Sequence, residues 1–358
     1  DLAERGDPAA ELPERFSFPN DAIAQLDRSV EIYRETWGGE PTGLWPAEGA
    51  VGQDIVKIVS EAGYDWIATG EHVLARSLDL GGITRDEEDV VIQADELYRP
   101  YYVSDDEGNR LAVFFRDLRL SDLIGFEYSG MDGEAAAADL MARLRDIRAR
   151  LDAQGATGPH LVSIILDGEN AWEHYPGDGR EFLHAMYRGF SEADDLVTIT
   201  PTEYLELFPE QREIEELWWG SWFSPDYATW IGESEETRAW EYLRRVRMDL
   251  AAYDLFDRKE APEEAIGDAL DAIYLAEGSD WFWWYGQDQD SGDDRYFDEA
   301  FRALLREVYV AVGEQPPRFL SVPIIPDRPV AATRAASATI SPAIDGIAGD
   351  EEWSGGAL

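Results

Sequence analysis

Carboxylates set among aromatic residues recur three times in this sequence. The first cluster is Gly43–Val51 (GLWPAEGAV), where Glu48 stands between a proline-ended segment and the start of a helix, three residues after Trp45. A helix N-terminus favours an ionised carboxylate, and an ionised carboxylate beside an aromatic wall suits a nucleophile at a sugar's anomeric carbon. The competing reading makes Glu48 a helix-capping residue, and spacing alone does not separate the two. The second cluster is Leu166–Tyr175 (LDGENAWEHY), at the end of an apolar run. Asp167 is the first polar residue past that run, the place where catalytic residues sit in α/β barrels and open sheets. Aromatic surroundings would raise its pKa and fit it for general acid work. Asp-Gly is also a turn pair, but Glu169, Asn170, Trp172, Glu173 and His174 crowd the same loop. The third cluster, Ala276–Gln289, holds Asp280 and five successive aromatics, Trp281 to Tyr285. Flat aromatic faces with a polar rim suit a sugar ring; a core helix rich in aromatics is the alternative. The acids that follow, Asp288, Asp290, Asp293 and Asp294, do not have calcium-loop spacing.

Other chemistries find little support. His72, His160, His174 and His184 are the only histidines, and no pair has zinc-helix spacing. No phosphate-binding glycine loop and no Gly-x-Ser-x-Gly elbow occurs. With no cysteine, disulfides and thiolate sites are excluded. The 358 residues carry 75 acids against 30 bases, a formal net charge of −45. Nucleic acid is a poor partner for such a chain, and so is an anionic membrane surface. All the bases except Lys57 and Lys259 are arginine. An acid surplus spread along the whole chain, with almost no lysine, points to adaptation to high salt, where self-repulsion is screened. A hydrophobic share of 44% with 13 tryptophans rules out a disordered chain. No segment reads as a signal peptide or a membrane span.

The elements that must position these clusters follow from periodicity. Helical stripes run over Asp21–Glu35, Val51–Ala62, Glu71–Leu78, Gly133–Ala153 and Gly179–Ala193. Tyr64–Thr69 reads as a strand. Leu97–Val103 and Leu111–Phe115 flank the turn Asp105–Asn109 as a hairpin. His160–Leu166 and Leu196–Thr200 are β-branched runs expected as buried parallel strands. Strand and helix alternation to about residue 200 predicts an α/β layer or barrel. Beyond it the strands stop, and Glu233–Phe256, Ala261–Ala276 and Tyr296–Val312 predict a helical domain over 201–318. Residues 319–340 read as a linker, and 341–358 as the start of a β-domain.

In this order the three clusters resemble glycoside hydrolase family 57. GLWPAEGAV resembles its nucleophile region, LDGENAWEHYP its acid/base region, and AEGSDWFWWYGQDQ its last conserved region. Phe115-Arg116-Asp117, Leu120-Ser121-Asp122, Gly125-Phe126 and Pro201–Leu205 resemble the amylopullulanase and α-amylase branch. The likeness covers about residues 20–322. It implies an incomplete (β/α)7 barrel over 1–200, a helical domain completing the active site, and a β-domain that begins near Ile340. It also implies that the family's first two regions, with a His-Gln-Pro motif on the first barrel strand, lie upstream of Asp1. Gly70-Glu71 departs from the pattern, which has two acids there.

The activity implied is a retaining hydrolase of α-glucans such as starch, glycogen or pullulan. Glu48 is the nucleophile, Asp167 the general acid, and Trp45, Glu169, Trp172, His174, Asp280, Trp281, Trp283 and Trp284 meet substrate. No metal or organic cofactor is called for. A 4-α-glucanotransferase or branching enzyme would use the same two carboxylates with a sugar acceptor. A non-catalytic glucan-binding protein would keep the aromatics without needing both Glu48 and Asp167.

Overall fold

In the computed structural model, residues 12–168, 172–256, 259–286 and 289–326 are described. Five strands form one mixed sheet in the order β1-β2-β4-β3-β5. They are β1 (Gly43–Leu44), β2 (Trp66–Gly70), β3 (Tyr101–Ser104), β4 (Arg110–Arg116) and β5 (Arg212–Glu213). β1, β2 and β4 run parallel, while β3 and β4 form the antiparallel hairpin expected from the sequence. The Asp105 carboxylate closes the hairpin turn by accepting from the amides of Glu107 (2.9 Å) and Asn109 (2.8 Å). Gly108 takes the positive φ of 87° that the turn requires.

Five of the helices around the sheet fall within a few residues of the expected stripes, and three short ones, over Ala94–Leu97, Leu118–Asp122 and Pro201–Leu207, are additional to them. In chain order the helices are α1 (Pro19–Trp37), α2 (Gln53–Glu61), α3 (Glu71–Ser77), α4 (Ala94–Leu97), α5 (Leu118–Asp122), α6 (Gly133–Gln154), α7 (Arg180–Glu192) and α8 (Pro201–Leu207). The strand period of two splits the sheet's side chains between two faces. Ile67, Leu111, Val113 and Phe115 point toward Val56 and Val59 of α2, Leu74 of α3 and Leu140, Leu144 and Ile147 of α6, forming the main core. Ala68, Tyr102, Ala112 and Phe114 point the other way and meet Tyr204 of α8. No helix among the described residues is long and apolar enough to cross a membrane.

Two expected strands are corrected. Within His160–Leu166 the only ladder contact among the described residues is a single parallel bridge, Arg116 to Ser163, and Leu161–Leu166 are half-buried. Leu196–Thr200 forms no strand, and Val197 is 85% exposed. A β-branched run favours an extended backbone, but a buried strand also needs sheet neighbours on both edges. The end of the sheet layer also shifts. β5 pairs with β3, and Ile214 and Leu217 join the main core, so the sheet layer runs past residue 200. Arg212-Glu213 is too short and polar to read as a strand.

A second core is helical. α9 (Ser234–Asp254), α10 (Glu263–Ala276), α11 (Ser279–Trp284) and α12 (Asp294–Ala311) pack through Leu243, Val246, Ile273, Phe301 and Leu305. α1 bridges both cores. Its Leu26 and Val30 meet the sheet layer, while buried Asp21 accepts two hydrogen bonds from buried Arg247 of α9 (2.6 and 2.9 Å). The expected linker begins as part of this core. Leu320 and Ile324 are fully buried, and the Ile324 amide donates to Asp298 (3.0 Å). The stretch opens on a short apolar run, Phe319–Ile325, which the Pro- and Ala-rich composition of the residues after it obscures. Residues 327–358, with the expected β-domain, lie outside the described residues.

Candidate active site

The Glu48 loop leaves the carboxyl end of β1. Pro46 leads into one tight turn, Ala47–Gly49, closed by the Gly49 amide on the Pro46 carbonyl (2.8 Å) and the Ala50 amide on that of Ala47 (3.0 Å). Glu48 sits in the left-handed region at φ 57°, ψ 22°, a conformation that costs a non-glycine residue roughly 1–3 kcal/mol unless its surroundings impose it. They do. The Glu48 carbonyl accepts from the Trp222 amide (3.1 Å), and the Gly49 carbonyl accepts from buried Thr69 (2.7 Å). Trp45 meets Trp222 edge to face at 5.6 Å. Val51 and Gly220 exchange backbone hydrogen bonds of 2.9 and 3.1 Å, and the Tyr227 hydroxyl donates to the Val51 carbonyl. Helix α2 starts only at Gln53, so Glu48 lies on a turn of its own and the capping reading falls away.

The segment before Asp167 runs beside β4. Leu161 donates to the Tyr98 carbonyl (2.8 Å), Asp117 donates to that of Ser163 (2.9 Å), and the Ile165 amide donates to the Ser121 hydroxyl (3.2 Å). Arg116, the last residue of β4 and 3% exposed, donates from Nε to the Ile165 carbonyl (2.9 Å) and from Nη2 to Asp122 (2.9 Å). Its guanidinium lies 4.5 Å from the Trp222 ring centroid. The carboxyl ends of β1, β2 and β4 and the segment leading to Asp167 therefore converge on Trp222.

Below this point lies a cavity of about 490 Å³. Its walls are Trp66, Ala68 and Phe114 on the sheet's second face, Leu161–Leu166, Ile199 and Pro201, with Trp45 at its edge. Trp45 and Leu166 place the cavity beside the segments that carry Glu48 and Asp167.

The strand ends are locked from behind. Glu71 follows Gly70 of β2, and Asp117 follows Arg116 of β4; both are buried. Arg85 donates twice to Glu71 (2.8 Å each) and once to Asp117 (3.0 Å), which also accepts from the Tyr98 hydroxyl (2.8 Å). Burial and the Asp117 charge push the Tyr98 phenol far above its ordinary range; desolvation opposes the Arg85 charge, but the paired carboxylates prevail and raise its pKa.

The other expected site residues divide. Trp172 packs with Tyr175 (5.5 Å) and Phe182 (6.4 Å) against the main core. His174 is exposed, 3.6 Å from Glu173. Glu169 lies outside the described residues. On α11, Asp280 is exposed and Trp284 half-buried. Trp281 packs on Phe297 (4.9 Å) and Phe301 (5.6 Å) and donates to the Leu275 carbonyl (2.8 Å). Trp283 meets Trp230 (5.5 Å) and Phe223 (5.8 Å), the residue after Trp222. The third cluster thus reaches the convergence point through Phe223. Among the described residues, no group of three or more His, Asp or Glu is placed to hold a metal ion.

The model of the glycosyl hydrolase family 57 domain matches residues 12–216, more than half of the chain. The chain belongs to glycosyl hydrolase family 57. No curated protein matches it. Solved structures resemble it in fold. A family 57 branching enzyme from the archaeon Thermococcus kodakaraensis, in complex with glucose, aligns at TM-score 0.59 and 19% identity, over 88% of this chain and 66% of that one. The α-amylase AmyC from Thermotoga maritima aligns at 0.61 and 14%, over 85% and 66%. A 4-α-glucanotransferase from Thermococcus litoralis aligns at 0.56 and 17%, over 82% and 45%. The chain spans just under two thirds of the branching enzyme and the amylase, and under half of the glucanotransferase.

Within this family member the departure at Gly70 has a steric reason. A Cβ on Gly70 would run into the Trp222 backbone carbonyl, so no acid fits there while Trp222 holds Glu48. Sequence reasoning missed Trp222 and gave Arg116 no role. Trp222 stands in an aperiodic stretch, Trp218–Phe223, rich in aromatics, whose flanking acids Glu215, Glu216 and Asp226 match no motif singled out in the sequence. Arg116 carried a readable signal: a buried cation closing the apolar run Leu111–Phe115, where the arginine at the other end, Arg110, is exposed.

Proposed function

We propose that this family 57 chain acts on α-glucans as a retaining glycosidase, on a sheet that forms the larger part of an incomplete (β/α)7 barrel completed by the helical layer. The observation that carries this reading is the convergence on Trp222 of the Glu48 loop and the segment bearing Asp167. In the first step the Glu48 carboxylate attacks the anomeric carbon, and Asp167 protonates the departing glycosidic oxygen. In the second, Asp167 takes a proton from water, which attacks the glycosyl-enzyme and releases Glu48. Retention requires the two carboxyl groups about 5–5.5 Å apart, against about 6.5–9.5 Å for inversion. Trp45, beside Glu48 and partly exposed, offers a face for a sugar ring, and Trp283, Trp284 and Asp280 extend the surface from the helical side.

A second reading is transfer, with a sugar hydroxyl replacing water. It is favoured by the branching enzyme and glucanotransferase among the similar structures, whose likeness to this chain nearly equals that of the amylase. Incubation with amylose and with pullulan separates the two: rising reducing ends mean hydrolysis, and redistributed chain lengths without new reducing ends mean transfer. Glu48→Gln and Asp167→Asn should each remove at least 99% of either activity, and a variant with normal turnover would refute the assignment.

A further inference from the structure

Arg116 touches both halves of the candidate site. Its Nε holds the carbonyl of Ile165, two residues before Asp167. Its guanidinium covers the ring of Trp222, whose amide holds the carbonyl of Glu48. The side chain is buried, and Asp122 fixes the remaining edge of the fork. The Glu48 loop and the Asp167 segment belong to different parts of the chain, more than a hundred residues apart. Trp222 comes from a third segment that leads on to the helical layer. We propose that Arg116 is a positioning residue for the reaction, setting the spacing between the Glu48 loop and the Asp167 segment through its simultaneous grip on Ile165 and Trp222. The inference rests on the glycosidase reading for its kinetic consequence, but its geometric content stands apart from that reading.

Arginine suits this task and lysine does not. A planar, delocalised cation can lie over an indole face while its edge nitrogens donate in the guanidinium's own plane. An ammonium offers a point charge and no such plane. Without the fork, the Ile165 carbonyl loses its donor and the Trp222 ring loses the cation that holds it, so the two carboxylates drift independently. A misplacement of about 1 Å between reacting groups can cost about 100-fold in rate.

The test uses Arg116→Met, Arg116→Lys and Trp222→Phe in the whole chain, with Glu48→Gln as the inactive reference. Arg116→Met should lower kcat on maltooligosaccharides about 100-fold with KM changed less than about threefold, and Arg116→Lys should recover little. Trp222→Phe keeps the amide that bonds Glu48 and weakens the stack, so its loss should be smaller, about 5–10-fold. Because the second step needs Asp167 as a base, azide, which attacks a glycosyl-enzyme without one, should speed turnover of an activated aryl glycoside by Arg116→Met; a merely structural lesion would gain nothing from azide. Crystal structures of wild type and Arg116→Met should show the Glu48–Asp167 carboxyl separation altered by about 1 Å or more. An unchanged separation, or a kcat loss no larger than the loss of folded protein, overturns the proposal. If wild type has no action on any α-glucan yet the separation moves in Arg116→Met, the glycosidase reading fails and the positioning role stands.

Discussion

Replacing Gly49 by alanine tests how firmly the Glu48 loop is closed. Gly49 has φ 55°, where an L side chain costs roughly 1–2 kcal/mol. A Cβ there would stand 2.7 Å from both Trp222 Cβ and Trp45 Cη2. The Trp45 ring tip can yield, since that side chain is 38% exposed. Trp222 Cβ cannot, because its backbone is bonded to Glu48 and its ring is covered by Arg116. Overpacking of this kind adds about 1–3 kcal/mol, so Gly49→Ala should cost about 2–5 kcal/mol in all. Gly38→Ala is the matched reference: φ is 74°, and nothing lies within 4 Å of its Cβ. That variant should lose only the conformational part, about 1–2 kcal/mol. Urea unfolding followed by circular dichroism, with both variants in the same salt, gives the difference directly. Adding Trp45→Ala to Gly49→Ala should recover only part of the loss, because the contact with Trp222 Cβ remains. If Gly49→Ala costs no more than Gly38→Ala, the tight packing of this loop on Trp222 is wrong, and with it the explanation of Glu48's left-handed backbone.

Gly70→Asp, which restores an acid of the family pattern, should displace Trp222 and free the Glu48 carbonyl; a crystal structure retaining the Trp222–Glu48 hydrogen bond would contradict this. Arg85→Met leaves Glu71 and Asp117 buried without their cation and should cost about 3–5 kcal/mol, read as a shift of the urea midpoint. Burial, with Asp21's charge adding to it, pushes the Glu277 carboxyl up to about 8. The folded chain therefore holds a proton that the unfolded chain loses near 4.5, so this contribution is full below about 4.5 and fades as pH rises toward 8. Glu277→Gln should flatten that decline, and an unchanged pH profile of urea stability between 5 and 8.5 would exclude the effect. A thermal melt should rise in molar KCl relative to dilute buffer, because screening relieves a net charge of −45; equal melting temperatures would dismiss salt adaptation.

Periodicity located the main helices within a few residues, because most bury a stripe wide enough to read. α6, with Leu140, Leu144 and Ile147 inward, and α12, with Phe301, Leu305 and Val308 inward, are examples. In α1, by contrast, Ile23 and Tyr33 of the expected stripe are exposed. The hairpin was legible from the turn Asp105–Asn109 between two aromatic-rich runs, although its first strand begins only at Tyr101. What failed was the inference from apolar run to buried strand at His160–Leu166 and Leu196–Thr200, since a run reports a residue's preference and not its neighbours. The candidate site was legible in halves. Glu48 and Asp167 stood out by their contexts, but the group that joins their segments did not, because Trp222 acts through a backbone amide and a ring face, neither of which leaves a motif. The aromatic run at α11 was ambiguous for a related reason: Phe282 stacks on Trp240 at 3.8 Å inside the helical core, while Trp283 turns toward Phe223. Both contacts are packing contacts of the helical layer, which favours the core reading for Phe282 and Trp283.

The strand ends explain why charge can sit so deep here. Gly70-Glu71 and Arg116-Asp117 occupy matched positions, since Gly70 and Arg116 are paired in register. The first residue of each pair faces Trp222, by absence of a side chain at Gly70 and by the cation at Arg116. The second turns to the opposite side, where Arg85 gathers both carboxylates. The pleat thus separates two functions one residue apart: a bare or cationic position toward the convergence point, and an acid anchored behind it. Glu71 also accepts from the Leu118 amide (3.0 Å), so the anchor ties the end of β2 to the turn after β4. A rigid pair of strand ends is what a positioning arginine needs, because Arg116 can hold Ile165 and Trp222 in register only if its own backbone does not move.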